Sequence, residues 1–80
     1  MLKLFYYPRL KDLREDKELF QKDIALILKT NERQYCRWET GYTQIPAHHL
    51  IKLADFYNTS TDYILGRTNE INSYPTKKVT

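Results

Sequence analysis

Apolar residues recur at helical spacing in five short stretches, separated by proline, glycine or polar turns. Residues 8–17 place Leu10 and Leu13 on one face with Arg14 beside them, and Pro8 suits the first turn of a helix, where its missing N–H is no loss. Over 21–28, Ile24, Ala25 and Leu28 form one face, and Leu26 and Ile27 extend the apolar surface almost all round. Such a helix is either sandwiched or turned in part towards another subunit. A third helix is predicted over 32–40, with Asn31 as its N-cap, Tyr35 and Trp38 pointing inward, and Gly41 as its stop. Residues 47–57 follow Pro46 and carry the stripe Leu50, Leu53, Ala54 and Tyr57, with Asn58 ending the helix. A short fifth helix, 61–65, is capped by Ser60 or Thr61 and stopped by Gly66. The expectation is an all-α domain of five helices over 8–66. An apolar, aromatic segment (1–7) precedes it, and a polar tail (67–80), poorly ordered in isolation, follows.

Composition narrows this reading. Eighty residues suit one small domain of modest stability. With 41% hydrophobic residues the chain is too apolar for disorder, and with two glycines and three prolines it is poor material for a turn-rich β fold. The single cysteine, Cys36, excludes an intrachain disulfide or a multi-cysteine zinc site and fits a reducing, cytoplasmic setting. No apolar run reaches the roughly 18 residues of a membrane span. The opening MLKLFYYPRL lacks the long apolar stretch and cleavage site of a signal peptide. The net charge of +3 permits a polyanionic partner without identifying one.

Catalytic chemistry finds no support. There is no glycine-rich phosphate loop, no cysteine–histidine arrangement around a plausible nucleophile and no metal spacing, so neither an enzyme nor a cofactor is expected. His48 and His49 are adjacent on a helix and diverge by about 100°, which argues against a shared metal site. Cys36 reads as an inert, half-buried thiol in preference to a redox switch. The second and third helices, joined near Lys29–Thr30–Asn31, have the size of a helix-turn-helix. The third carries Glu32, Arg33 and Arg37 opposite its aromatic side. Guanidinium groups near a helix N-terminus, over a rigid apolar back, are what a helix needs to reach base edges in the major groove.

The ordered set RLKDLRED (9–16), LFQKDIA (19–25), YCRWETG (35–41), IP (45–46) and LIKLADFYNTSTDYILGRTN (50–69) resembles the Xre/Cro/C1-type helix-turn-helix family, the group of the lambdoid phage repressors and Cro proteins. The resemblance implies a lambda-repressor-like five-helix domain that binds a double-stranded DNA operator as a homodimer. Its half-sites would lie about one helical turn apart. It implies base reading by Glu32, Arg33 and Arg37, with each arginine able to grip guanine through O6 and N7. Phosphate contacts fall to Gln21, Asn31, Thr40, Tyr42, Thr43 and Gln44, and a partly buried salt bridge to Arg14 and Glu39. A cytoplasmic, nucleoid-associated repressor acting by promoter occlusion is the implied role. The style of DYILGRTN resembles small regulators of low-GC Gram-positive bacteria, their phages and mobile elements.

Two departures from the family pattern stand out. Phe20 occupies the cap of the second helix, where the family carries Ser, Thr or Asn, a loss of about 1 kcal/mol. Lys29 replaces a turn glycine, and if the position requires φ > 0 the lysine costs roughly 1 kcal/mol. Leu2, Leu4, Phe5, Tyr6 and Tyr7, together with Leu26 and Ile27, also exceed what five short helices must bury. This surplus is expected to form a dimer surface, with Leu26 and Ile27 its candidates, or to pack the head over the domain. It also supports an alternative in which the fold holds a protein partner, as an antitoxin or antirepressor module.

Overall fold

A computed structural model describes residues 5–72. Within them the chain forms five helices and no strands: α1 (Pro8–Asp16), α2 (Gln21–Ile27), α3 (Glu32–Glu39), α4 (Ala47–Phe56) and α5 (Thr61–Leu65). Each boundary falls within one residue of its expected place. No helix among the described residues is long and apolar enough to cross a membrane.

The predicted caps are in place. The Asn31 side chain accepts the Gln34 N–H at 2.7 Å, and Ser60, the one of the two candidates that serves, accepts the Tyr63 N–H at 3.0 Å. Phe20 gives α2 no side-chain acceptor, but the Asp23 carboxylate accepts the Phe20 N–H at 2.8 Å. Half of a capping box therefore survives, and a first-turn acid also suits the positive end of the helix dipole, so the expected loss is partly offset.

All five helices stop the same way. The residue after the last turn takes a left-handed conformation, at Glu18 (φ 56), Lys29 (φ 57), Gly41 (φ 84), Asn58 (φ 56) and Gly66 (φ 82). The chain then bonds back onto the final carbonyls. After α2, Thr30 N–H donates to the Ala25 carbonyl at 2.9 Å and Lys29 N–H to Leu26 at 3.1 Å. Lys29 is thus left-handed, which meets the condition under which its cost was expected, and it carries the strain of a side chain there.

The helices close around one core. Leu10, Ile24, Tyr35, Leu53 and Ile64, one from each helix, are its largest fully buried members. Burying an aliphatic side chain of this size contributes about 1.5–3 kcal/mol. The pair α2–α3 packs closely, α1 rests on α3 and α5, and α4 rests on α5. On α2, Ile27 packs against the core while Leu26 is 79% exposed. The apolar wrap of this helix is therefore satisfied on one side only.

Both flanks of the helical region are tied down where they are described. Tyr7 packs on the core, and the backbone of Tyr6 fills the space a Cβ on Gly41 would need, 2.8 Å away. The head thus packs over the domain through Tyr6 and Tyr7, whereas Leu2 and Leu4 lie outside the described residues. On the other flank, Arg9 donates to the carbonyls of Tyr63 at 2.8 Å and Thr68 at 2.5 Å and to Asn69 Oδ1 at 2.9 Å, with its guanidinium 3.9 Å from the Tyr63 ring centroid. The Thr59 hydroxyl bonds to the Ile71 carbonyl. The start of the expected loose tail is therefore fastened to α1 and to the turn before α5, because Arg9 and Thr59 give its peptide groups the partners that the polar sequence itself lacks. Residues 73–80 lie outside the described residues.

Candidate nucleic-acid interface

The two sides of α3 are built for different tasks. Tyr35, Trp38 and Glu39 are buried on one side. Glu32 and Arg33 are exposed on the other, and Arg37 is half-buried at its edge. Among the described residues neither Arg33 nor Arg37 has an ion-pair partner. Arg37 instead rests over the Tyr42 ring, 5.6 Å from its centroid, which restrains its long side chain without neutralising it. Glu32 lies in the first turn, where its charge suits the helix dipole.

The buried side is anchored by the predicted Arg14–Glu39 pair. Arg14 Nε donates to Glu39 Oε1 at 2.8 Å and Nη2 to Oε2 at 3.0 Å, a bidentate arrangement. Arg14 Nη1 donates to the Leu19 carbonyl at 2.7 Å, in the turn before α2. Two further donors reach the same carboxylate: Tyr35 Oη at 3.0 Å and Gln21 Nε2 at 2.7 Å. Burial alone would raise the Glu39 carboxyl. The hydrogen bonds from Arg14 and Gln21, the Arg14 charge and the Tyr35 hydroxyl outweigh it and hold Glu39 below its ordinary value. Glu39 in turn raises Arg14 above its ordinary value. Burial, reinforced by the Glu39 charge, raises the Tyr35 phenol. The protein thus keeps an ionised pair and a neutral phenol behind α3, joining α1, the α1–α2 turn, α2 and α3 in one rigid unit.

The candidate phosphate residues surround the ends of this unit. Asn31 is exposed at the start of α3, with its oxygen committed to the cap and its amide nitrogen left over. Thr40 is exposed at the other end, its hydroxyl donating to the Cys36 carbonyl at 2.8 Å. Tyr42 is 75% exposed and Gln44 is exposed, whereas Thr43 is half-buried with no partner for Oγ1 among the described residues. Gln21 is half-buried at the start of α2 and already spends one N–H on Glu39.

Cys36 is a half-buried free thiol. The His48 and His49 rings lie 4.1 Å apart, closer than helical divergence led us to expect, because χ rotation brings rings together whose Cβ atoms point apart. No group of three or more metal-ligating side chains exists among the described residues. His49 also stacks on Trp38, with centroids 4.9 Å apart, and supports α3 from α4. Its burial, with the charges of His48 and Lys52, lowers its affinity for a proton.

Sequence reasoning missed three parts of this arrangement. The packing of Tyr6 on Gly41 and the Arg9 clamp join residues far apart in the chain, where no periodicity signals them. The Gln21–Glu39 bond had a visible ingredient, a polar residue at the start of α2, but its second partner depends on how α2 and α3 cross.

Residues 10–64 match the family model described as helix-turn-helix. The chain is 36% identical over 59 residues to the HTH-type transcriptional regulator ImmR of Bacillus subtilis (strain 168). That similarity covers 74% of this chain and 46% of the relative, so the chain spans about half the length of the curated protein it matches.

Proposed function

The chain belongs to the Xre/Cro/C1-type helix-turn-helix family, and on that premise we propose that it binds operator DNA sequence-specifically, as a homodimer, and represses transcription by occluding a promoter. In this reading α3 lies in the major groove. Arg33 and Arg37 read guanine edges, Glu32 accepts from cytosine, and Gln21, Asn31, Thr40, Tyr42, Thr43 and Gln44 hold phosphates. The observation that carries it is the pairing of two arginines, without an ion-pair partner among the described residues, with a helix whose opposite side is locked in the core. A rigid back fixes the angle at which the guanidinium groups meet the bases, and free charge on the front is attracted to the duplex.

The test is fluorescence anisotropy across a salt series, with DNA from upstream of the chain's own gene against a scrambled duplex. About six phosphate contacts give a log–log salt slope near −5 on the operator. A preference of about a thousandfold or more marks a specific site. Arg33→Ala and Arg37→Ala should each lose about 1–3 kcal/mol of base discrimination. Equal, weak binding to both duplexes, unchanged by either substitution, overturns the reading.

The 79% exposure of Leu26 favours a second reading, a module that captures a protein partner. There Leu26→Glu abolishes function while the arginine substitutions leave it intact.

A further inference from the structure

We propose that Glu39 is a positioning residue for DNA binding: from inside the protein it fixes the Gln21 carboxamide, so that Gln21 meets a backbone phosphate already oriented. This rests on the DNA-binding reading above and adds a residue that never touches the duplex.

The argument starts from the 2.7 Å bond between Gln21 Nε2 and Glu39 Oε2. A carboxylate offers only acceptors, so the amide must face it through nitrogen, and the orientation of the carboxamide is set by chemistry. The nitrogen carries two N–H groups. With one given to Glu39, the other points away from the carboxylate, and Gln21 is half-buried, so its outer edge still meets solvent. A surface glutamine would sample many rotamers and lose that freedom on binding. Gln21 has largely lost it beforehand, which is how preorganisation strengthens a contact.

A bare glutamate beside a phosphate would repel it. Arg14 answers this by holding both oxygens of Glu39, at 2.8 and 3.0 Å, so the carboxylate and guanidinium together add little net charge near the duplex. Tyr35 supplies the remaining donor to Oε1 at 3.0 Å. Among the described residues, Gln21 is the only one of the donors to Glu39 that is not buried in the core. It is therefore the route by which the buried pair can reach a ligand. Arg14 also grips the Leu19 carbonyl at 2.7 Å, so the backbone leading into Gln21 is held by the same pair.

The test is a double-mutant cycle on operator binding with Gln21→Ala, Glu39→Gln and both together, each checked for native circular dichroism at the working temperature. In the native background Gln21→Ala should weaken binding roughly tenfold, the range of a hydrogen bond to a charged group. It should leave the salt slope unchanged, since a neutral donor releases no counterion. In the Glu39→Gln background the same substitution should cost less than about twofold. Equal losses in the two backgrounds overturn the proposal. Should Glu39→Gln fail to fold, the native protein still decides. The two Gln21 side-chain N–H resonances should be well separated and rigid without DNA, and both should shift as Glu39 is protonated in acid. A freely rotating carboxamide in the unbound protein overturns the proposal. Failure of the parent reading looks different, because there Arg33→Ala and Arg37→Ala leave binding unchanged as well. If those substitutions abolish binding while the cycle is additive, only the role of Glu39 falls.

Discussion

The buried and outer sides of α3 share one helix of eight residues and follow opposite rules. On the buried side every charge is matched: Glu39 receives four hydrogen bonds from three side chains, and Trp38 is enclosed by the core and His49. On the outer side Arg33 and Arg37 carry no matching acid among the described residues. The difference separates two energies that are easily confused. Substitution on the inner side should change stability first and DNA affinity as a consequence. Substitution on the outer side should change affinity alone.

The largest effect should come from Trp38→Ala, which empties the centre of the inner side and costs about 3–5 kcal/mol. In a domain this small that is a large part of the whole, and thermal melts by circular dichroism should show Tm falling by well over 10 °C. A melt unchanged within a few degrees would mean that the inner side is not structural. Next comes Glu39→Ala, which leaves the Arg14 charge buried without its partner and should cost about 3 kcal/mol in urea titrations. A loss below about 1 kcal/mol would reduce the pair to a surface ion pair.

Gly41→Ala probes the end of the helix, where the two sides meet. The new Cβ must adopt φ 84 and would approach the Tyr6 backbone to 2.8 Å, so a loss beyond the roughly 1 kcal/mol of the conformation alone is expected. Removing residues 1–6 should then reduce the difference between glycine and alanine. Lys29→Gly offers the contrast, because Lys29 is exposed and equally left-handed. It should raise stability by up to about 1 kcal/mol, and a loss would show that the lysine side chain contributes something its position does not reveal.

The smallest effect sharpens the comparison through pH. Glu39 and His49 both bind protons less readily when folded, so the unfolded chain takes up protons first and stability falls as pH falls. For His49 the stabilisation is complete above its unfolded value of 6.5 and declines below it; for Glu39 the decline begins below 4.5. Urea midpoints should therefore slope gently from pH 7 to pH 5 and steeply below. His49→Gln should flatten only the gentle part. A midpoint that rises on acidification would contradict both signs.

How much of this could be read from the chain depends on distance along it. Helices are local: the spacing of Leu10, Leu13, Ile24, Ala25 and Leu28, and the stops at Gly41, Asn58 and Gly66, placed every element to within a residue. Arg14 and Glu39 were legible through a family resemblance, since nothing in their spacing alone pairs them. Gln21 was visible through the resemblance as a candidate phosphate contact, but its bond to Glu39 requires the crossing of two helices. Arg9 gave no signal and Tyr6 only that of an apolar head able to pack over the domain, because a guanidinium on a distant carbonyl or a backbone against a glycine leaves no period in the sequence. Phe20 looked like an uncapped start, and the compensation came from Asp23, on the reciprocal half of the motif.

The Arg9 clamp and the Thr59–Ile71 bond also extend the fixed part of the domain. Without them, whatever is joined after it would be attached at Gly66. With Thr68, Asn69 and Ile71 fastened, the point of attachment moves to about Asn72, and six residues that could extend about 20 Å are taken out of play. A fluorophore or fused module attached beyond that point would explore a smaller volume around a fixed exit. Arg9→Ala together with Thr59→Ala would return the slack, and the local concentration of the attached group near its own domain would fall with it.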